Sequence, residues 1–295
     1  MSDFVLSCCS TVDLSNEKVL NEDIKYACFH YSLDGCEYRD DMGKTQPLEE
    51  FYKTMEAGAD TKTSQINADE FCEYFSEFLK EGKDILHVSL SSGLSGVSNS
   101  AMIAKSMLED EYPDRKIYVV DSLAASSGYG LIMTTLAKKK RDGMGIDELF
   151  EWIEEHKLNM HHWFYTDDLK FFIRGGRVSK TSGFVGTMLN ICPLLNIDVE
   201  GKLIPRQKVR TKKKVMLTCI NEMLNNAEDG ADYSGDCFIS HAYCYEDAKL
   251  LQAAVEENFK NQKGKVEIFP IGTTIGSHTG PGTVALFFWG KKRDN

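Results

Sequence analysis

No apolar run in these 295 residues approaches the roughly 18 that a membrane-spanning helix needs. The opening stretch, MSDFVLSCCSTVDLS, lacks the basic segment that begins a secretory signal, so a cytoplasmic location is expected. No C-x-x-C pair occurs. The nine cysteines are scattered and odd in number, and Cys8, Cys28, Cys192 and Cys237 sit in or beside apolar runs, as buried free thiols do. Cys237, His241 and Cys244 are close together, but their spacing fits no common zinc site, so no metal is expected. No Walker motif, no G-x-G-x-x-G fingerprint, no internal repeat and no low-complexity segment is present. A formal net charge of −11 speaks against general nucleic-acid binding.

What is present is the composition of a folded soluble protein, with 42% hydrophobic and 27% charged residues. Its length predicts one large or two medium domains. FVLSCC reads as a strand, and Asp34-Gly35 as the turn of a hairpin between YACFHYS and CEYRDD. Leu48, Phe51, Tyr52 and Met55 fall at helical spacing, as do Phe71, Phe75, Phe78 and Leu79. DILHVSL and KIYVVDS read as buried strands separated by the helix SGVSNSAMIAKSMLEDEY. Strands alternating with helices predict a parallel α/β sheet over residues 1–160. After His161 the pattern changes to strands at HHWFYTDD, ICPLLNIDVEGKLIPRQKVR, DCFISHA, KVEIFPIG and TVALFFWG, with helices between them. This predicts a second, α+β domain over residues 161–295.

In a parallel sheet, ligands sit beyond the carboxyl ends of the strands. Two polar loops, one of them rich in serine and glycine, and one glycine-rich histidine turn are candidates for such a site. SSGLSG, residues 91–96, follows DILHVSL at that end, and so does Asp121-Ser122 after KIYVVDS. TKTSQIN, residues 61–67, reads as a loop between two helices, where Thr63, Ser64 or Asn67 could do no more than cap the second. Residues 271–288 place His278 in a glycine-rich turn before the last strand. Backbone N–H groups at a helix start, joined by serine hydroxyls, would form an anion nest. The serine loop has no lysine, which suits a single carboxylate better than a triphosphate. Arg174, Arg177, Lys180, Lys202, Arg206, Lys208, Arg210, Lys212, Lys213 and Lys214 crowd one stretch, either as a solvated surface or as a docking patch for an acidic partner.

The order SSGLSG (91–96), TSQ (63–65), VDS (120–122), LKFFIRGGRVS (169–179), the Pro193 strand with Gly201 beyond it, and GSHTGPG (276–282) resembles the DegV family over nearly the whole chain. That family includes the fatty-acid-binding subunits of bacterial fatty acid kinase. The resemblance implies a Rossmann-like N-terminal domain and an α+β C-terminal domain with a long-chain fatty acid buried between them. It implies that Thr63 and Ser95 hold the carboxylate, that Ser64, Ser92, Gly93, Gly96 and Gly280 shape its surroundings, and that His278 stands near the head group. It places Arg174 and Arg177 at basic positions of the family motif, for interdomain structure or partner docking, with Arg206 and Arg210 as further docking candidates. The chain departs from the family at Ile66-Asn67 and Cys9-Ser10, where Pro-Ser and Asp-Ser are usual.

The resulting expectation is a carrier without catalysis of its own. It needs no cofactor and presents its fatty acid to a separate ATP-dependent kinase subunit, which forms acyl phosphate for phospholipid synthesis. Transient contact with a membrane surface is compatible with that role. Ile66, Leu94, Met188, Leu189, Ile191, Leu194, Leu195 and Phe269 are candidates to line the tunnel, each of which would serve equally well as ordinary core. Two rivals stand beside this reading. One is a serine hydrolase using Ser95, Asp121 and His278, although the G-x-S-x-G elbow is missing. The other is a small-molecule sensor or interaction module without lipid.

Overall fold

Strand β1 (Phe4–Cys9) is buried along its whole length and lies inside a four-stranded parallel sheet, as its unbroken apolar run requires. The computed structural model describes residues 4–179 and 191–294. The sheet order is β2 (Ile24–Ala27), β1, β6 (Asp84–Ser89), β7 (Ile117–Asp121). Helix α1 (Asn16–Asn21) joins β1 to β2, α3 (Ala68–Lys80) leads into β6, and α4 (Val97–Glu109) joins β6 to β7.

The predicted hairpin forms between β3 (His30–Leu33) and β4 (Cys36–Arg39). Asp34 and Gly35 both take positive φ, 50° and 83°, as a two-residue turn matched to strand twist demands. The strand expected over residues 26–32 divides, however. Ala27 still pairs with Cys9 in the parallel sheet, while His30 begins a separate antiparallel one. Between them Phe29 donates its N–H to Ser10 Oγ at 3.1 Å, which turns the chain. The small sheet runs β4–β3–β5, and β5 (Thr61–Ser64) is the segment expected to be a loop. Its threonines suit a pleated surface, and Thr63 pairs with Tyr31. Helix α2 (Leu48–Glu56) covers this sheet with Phe51, Tyr52 and Met55. Asn67, not Thr63 or Ser64, caps α3. Its Oδ1 accepts from Glu70 N at 3.0 Å and Glu70 Oε2 accepts from Asn67 N at 2.8 Å, a reciprocal pair contributing about 1 kcal/mol.

The chain from Met160 onward builds a six-stranded mixed sheet in the order β10 (Leu203–Arg210), β9 (Ile191–Ile197), β8 (Met160–Tyr165), β13 (Val284–Trp289), β11 (Cys237–His241), β12 (Glu267–Pro270). Alternation along its strands assigns its two faces. Val284, Leu286 and Phe288 join an outer core under α8 (Lys212–Asn226) and α9 (Tyr245–Asn258), whereas Ala285 and Phe287 point inward. Helix α5 (Ser126–Arg141) lies between the two large sheets, and every residue from Ser126 to Thr134 is buried, as expected for a helix packed on all sides. Helix α6 (Ile146–His156) packs beside it against β7. The inner core runs without interruption from β1 through α5 to Phe164, Ile197 and Phe287. Two short helices complete the fold. One is α7 (Lys170–Arg174). The other is α10 (Thr273–Thr279), which stands where a glycine-rich turn was expected.

Among the described residues, no helix is long and apolar enough to cross a membrane.

Candidate functional site

A cavity of about 400 Å³ opens between the two large sheets. Phe29 and Leu90 wall it from the first sheet's side, and Phe164, Ile197, Ala285 and Phe287 from the inner face of the second. Of the expected tunnel residues, Leu94 lines it. Ile66, Leu195 and Phe269 belong to the surrounding inner core, and Leu194 to the outer core beneath α8. Ile191 opens the strand β9 and does not appear among the described lining residues. Met188, Leu189 and Lys180 lie outside the described residues. The aromatic walls are individually invisible in the sequence, because inward and outward positions of a strand buried on both faces are equally apolar.

One end of the cavity is polar. Thr63, Ser64, Gln65, Ser95, Gly96, Arg177 and His278 all line it there. Thr63 arrives on β5, Ser95 on the turn between β6 and α4, and His278 on the last turn of α10. His278 Nε2 stands 2.7 Å from Thr63 Oγ1, and Arg177 Nη1 stands 3.4 Å from His278 Nδ1. A guanidinium can only donate, so Nδ1 must face it with a lone pair and Nε2 must carry the ring proton. Nε2 then donates to Thr63 Oγ1, and the proton of the Thr63 hydroxyl is free to be donated elsewhere. Burial, joined by the charges of Arg177 and Arg174, lowers the His278 pKa to about 4, so this imidazole is neutral at physiological pH. Arg177 is fixed in turn by donating from Nε to Leu94 O at 3.2 Å and from Nη1 to Gly175 O. Gly175 leaves no choice of side chain, for a Cβ there would sit 2.3 Å from His278 Nδ1.

Ser95 Oγ donates to Gln65 Oε1 at 3.2 Å and accepts from Val97 N at 3.2 Å. Gln65 Nε2 is itself fixed on Ser100 Oγ at 3.0 Å. Gln65 was part of the T-S-Q motif but received no role from the sequence. Four of the backbone N–H groups expected to form a nest are engaged within the turn. Ser92 N donates to Asp121 Oδ1, Gly93 N to Ser91 Oγ, and Leu94 N and Ser95 N to Ser91 O. The N–H groups of Ser92 to Ser95 are thus spent on the shape of the turn, while Gly96, whose N–H is not among them, lines the cavity beside the hydroxyls of Thr63 and Ser95. Ser92 is exposed, and Gly93 packs on the Glu200–Gly201 backbone, 2.6 Å from where a Cβ would stand. Gly280 ends α10 at φ 69° against Phe171.

The hydrolase arrangement is not formed. Asp121 Oδ1 accepts from the N–H groups of Ser92 and Leu123, and both nitrogens of His278 face Thr63 and Arg177 rather than Ser95. The remaining basic candidates are dispersed. Arg174 donates to Thr61 Oγ1 at 3.1 Å and faces Asp60. Arg206 and Arg210 are exposed on β10, at one edge of the six-stranded sheet, with Arg206 Nε on Asn196 Oδ1 at 2.8 Å.

Two buried carboxyl groups that the sequence did not reveal anchor α10. Gly272 N donates to Asp13 Oδ1 at 2.9 Å, and Thr274 N to Asp40 Oδ2 at 3.3 Å. Asp13 also accepts from Ser126 Oγ. Burial raises both carboxyls, Asp13 to about 8, with Asp40 nearby adding to the effect. Their partners lie far apart in the sequence and carry no local motif.

Comparison with known proteins gives one family. The family model described as "uncharacterised protein, DegV family" matches residues 9–291. A DegV domain-containing protein of Clostridium perfringens is 36% identical over 294 residues, covering 100% of both chains. The solved structure of a DegV lipid-binding protein from Thermotoga maritima superposes with a TM-score of 0.84 at 28% identity, covering 99% of this chain and 100% of that one. A structure describing fatty acid binding by a DegV family protein from Thermus thermophilus gives 0.83 at 25% identity, with 99% and 100% coverage.

Proposed function

The chain belongs to the DegV family, and from that premise we propose that it binds one long-chain fatty acid, with the acyl chain in the cavity between lobes 1–160 and 161–295. The carboxylate then lies against the hydroxyls of Thr63 and Ser95. The observation that carries this reading is the form of the cavity. Its walls are largely apolar and aromatic, with Ser126, His162, Thr274, Thr279 and Thr283 set among them, and Thr63, Ser95, neutral His278 and Arg177 come together at one end. The relatives from Thermotoga maritima and Thermus thermophilus, described as lipid-binding and fatty-acid-binding, support it.

The energetics suit this ligand. Burying a chain of about sixteen carbons gains on the order of 10 kcal/mol before ordering costs, at about 0.8 kcal/mol per methylene. An unpartnered buried carboxylate would cancel much of that gain. Thr63 supplies a donor whose direction is set by the Arg177–His278 pair. Ser95 supplies a second when its proton swings from Gln65 Oε1 to the ligand. Neutral donors leave one carboxylate oxygen open, which a bidentate arginine clamp would cover.

That open oxygen fits a carrier that acts in the cytoplasm without catalysis of its own. It presents its acid to a separate ATP-dependent fatty acid kinase subunit, which forms acyl phosphate for phospholipid synthesis. Arg206 and Arg210 on the exposed β10 edge would meet acidic groups of that subunit. The lipid-binding core of the proposal is tested by identifying the molecule that stays with the gently purified protein. A long-chain fatty acid supports it, and an empty protein that takes up none contradicts it.

A further inference from the structure

Beside the head-group opening, one face of α4 is apolar and turned to solvent. The helix begins at Val97, two residues after Ser95, and buries Val97, Ala101, Ala104 and Leu108. Its opposite face exposes Met102, Ile103 and Met107 at 42%, 46% and 53%. Exposed Asn99 and Gly96 continue that face back to the cavity mouth, one helical turn at a time. Among the described residues only eight large hydrophobic side chains are more than about a third exposed, and three of them lie on this helix, Ile103 and Met107 one turn apart and Met102 at the edge of the same solvent side. Two of the others already pack on rings, Tyr243 stacked on Tyr52 and Tyr245 tilted against His241.

A groove of about 460 Å³ between α3 and α4 borders the strip. Leu108 and Cys72 form its less exposed part, and the exposed side chains of Glu73, Glu77 and Glu111 carry its charge, against Lys80. Apolar side chains beside a surplus of carboxylates call for a partner that is itself apolar and basic. An anionic lipid surface would be repelled by these carboxylates, and so would a nucleic acid. Methionine side chains adapt their shape readily to a protein surface.

We infer that the exposed face of α4 and its acidic groove are a docking surface for a basic, amphipathic helix of the partner protein that receives the fatty acid. That helix would bring the partner's active site to the opening beside Ser95. The inference rests on the reading that the bound acid is handed on, and it adds a second contact to the β10 edge. Met102, Ile103 and Met107 do not line the lipid cavity, so binding of the acid and docking of the partner are separable.

The test uses the full chain loaded with palmitate, ATP, and a fatty acid kinase catalytic subunit from a bacterium that carries a DegV relative. Two variants are compared with the unsubstituted chain, Ile103→Asp with Met107→Asp, and Glu73→Lys with Glu77→Lys. Because all four side chains are exposed, folding is preserved and is checked by circular dichroism. At limiting kinase subunit, acyl phosphate formation is expected to fall about tenfold or more in each variant, the scale of a lost interface anchor, while fatty-acid affinity changes by less than about twofold. Acyl phosphate formed at the unsubstituted rate by both variants would overturn this inference alone. A parallel loss of lipid affinity would also overturn it, by making the strip part of the lipid site. Failure of the unsubstituted, loaded chain to yield any acyl phosphate would overturn the hand-over reading, and this inference would fall with it.

Discussion

Thr63 and His278 are 215 positions apart in the chain, yet Thr63 Oγ1 and His278 Nε2 are 2.7 Å apart. Three pieces of the fold create this contact. Strand β5 is held by β3, α10 is anchored at its start by Asp13 and Asp40, and Arg177 presents a donor to the far side of the ring. The contact decides which way the threonine proton points, and with it what the cavity can hold.

Removing both hydroxyls with Thr63→Ala and Ser95→Ala is expected to weaken fatty-acid binding by a few kcal/mol. That is the scale of two hydrogen bonds to a charged group, each worth about 1.5–3 kcal/mol. Displacement of a fluorescent fatty acid measures this directly. Unchanged affinity would remove the carboxylate from these two residues.

Arg177→Met should raise the His278 pKa from its value of about 4, since it deletes a positive charge facing the ring. Burial is the larger cause of the depression, so the titration should stay below that of an exposed histidine. Imidazole NMR signals followed against pH give the answer. An unmoved midpoint would show that Arg177 does not govern the ring, and the proton assignment on Thr63 would lose its basis.

Much of this was legible in the sequence, and the limits are physical. The alternation of strands and helices, the Asp34-Gly35 turn and the amphipathic faces of α2 and α3 are local signals with local causes. Ser95 and His278 stood out because small residues and glycines cluster around them. β5 was hidden because four residues of mixed polarity become a strand only when Tyr31 and Leu33 offer a pairing edge. α10 was hidden because its stability comes from two carboxyl groups more than two hundred residues upstream, not from its own glycine-rich sequence. That Ser91 and Asp121 take the N–H groups of Ser92 to Ser95 in SSGLSG was hidden for a similar reason, since those partners follow from the folded turn and not from the motif.

Asp13 should leave a signature in the dependence of stability on pH. Its carboxyl is raised from 3.8 to about 8 in the folded protein, so the folded form keeps a proton that the unfolded form has lost. The stability linked to it is complete below about pH 4 and is lost as pH rises toward 8, by up to about 1.4 kcal/mol per unit. Buried His87, lowered to about 3, acts in the opposite sense, losing stability as pH falls below 6.5. In Asp13→Asn the alkaline loss should shrink to the part that buried Asp40 contributes, while the histidine limb stays. Urea unfolding of both proteins across this range checks it. The stability of the unsubstituted chain minus that of the variant should fall with rising pH, and a constant difference would contradict the raised carboxyl.

Gly175→Ala isolates the crowding beneath His278. The backbone there, at φ −72°, accepts alanine without strain. The Cβ would nevertheless fall 2.3 Å from His278 Nδ1. Overpacking of this kind costs about 1–3 kcal/mol, so both the melting temperature and fatty-acid affinity should drop. If calorimetry and displacement both give values of the unsubstituted chain, the His278 ring does not press on Gly175.

The most direct test of the account is native mass spectrometry of the intact protein after purification without detergent. The account predicts a mass increment of a single long-chain fatty acid per chain, removed by denaturation and much reduced in the Thr63→Ala, Ser95→Ala variant. A protein that flies bare, and stays bare after incubation with palmitate or oleate, would contradict it.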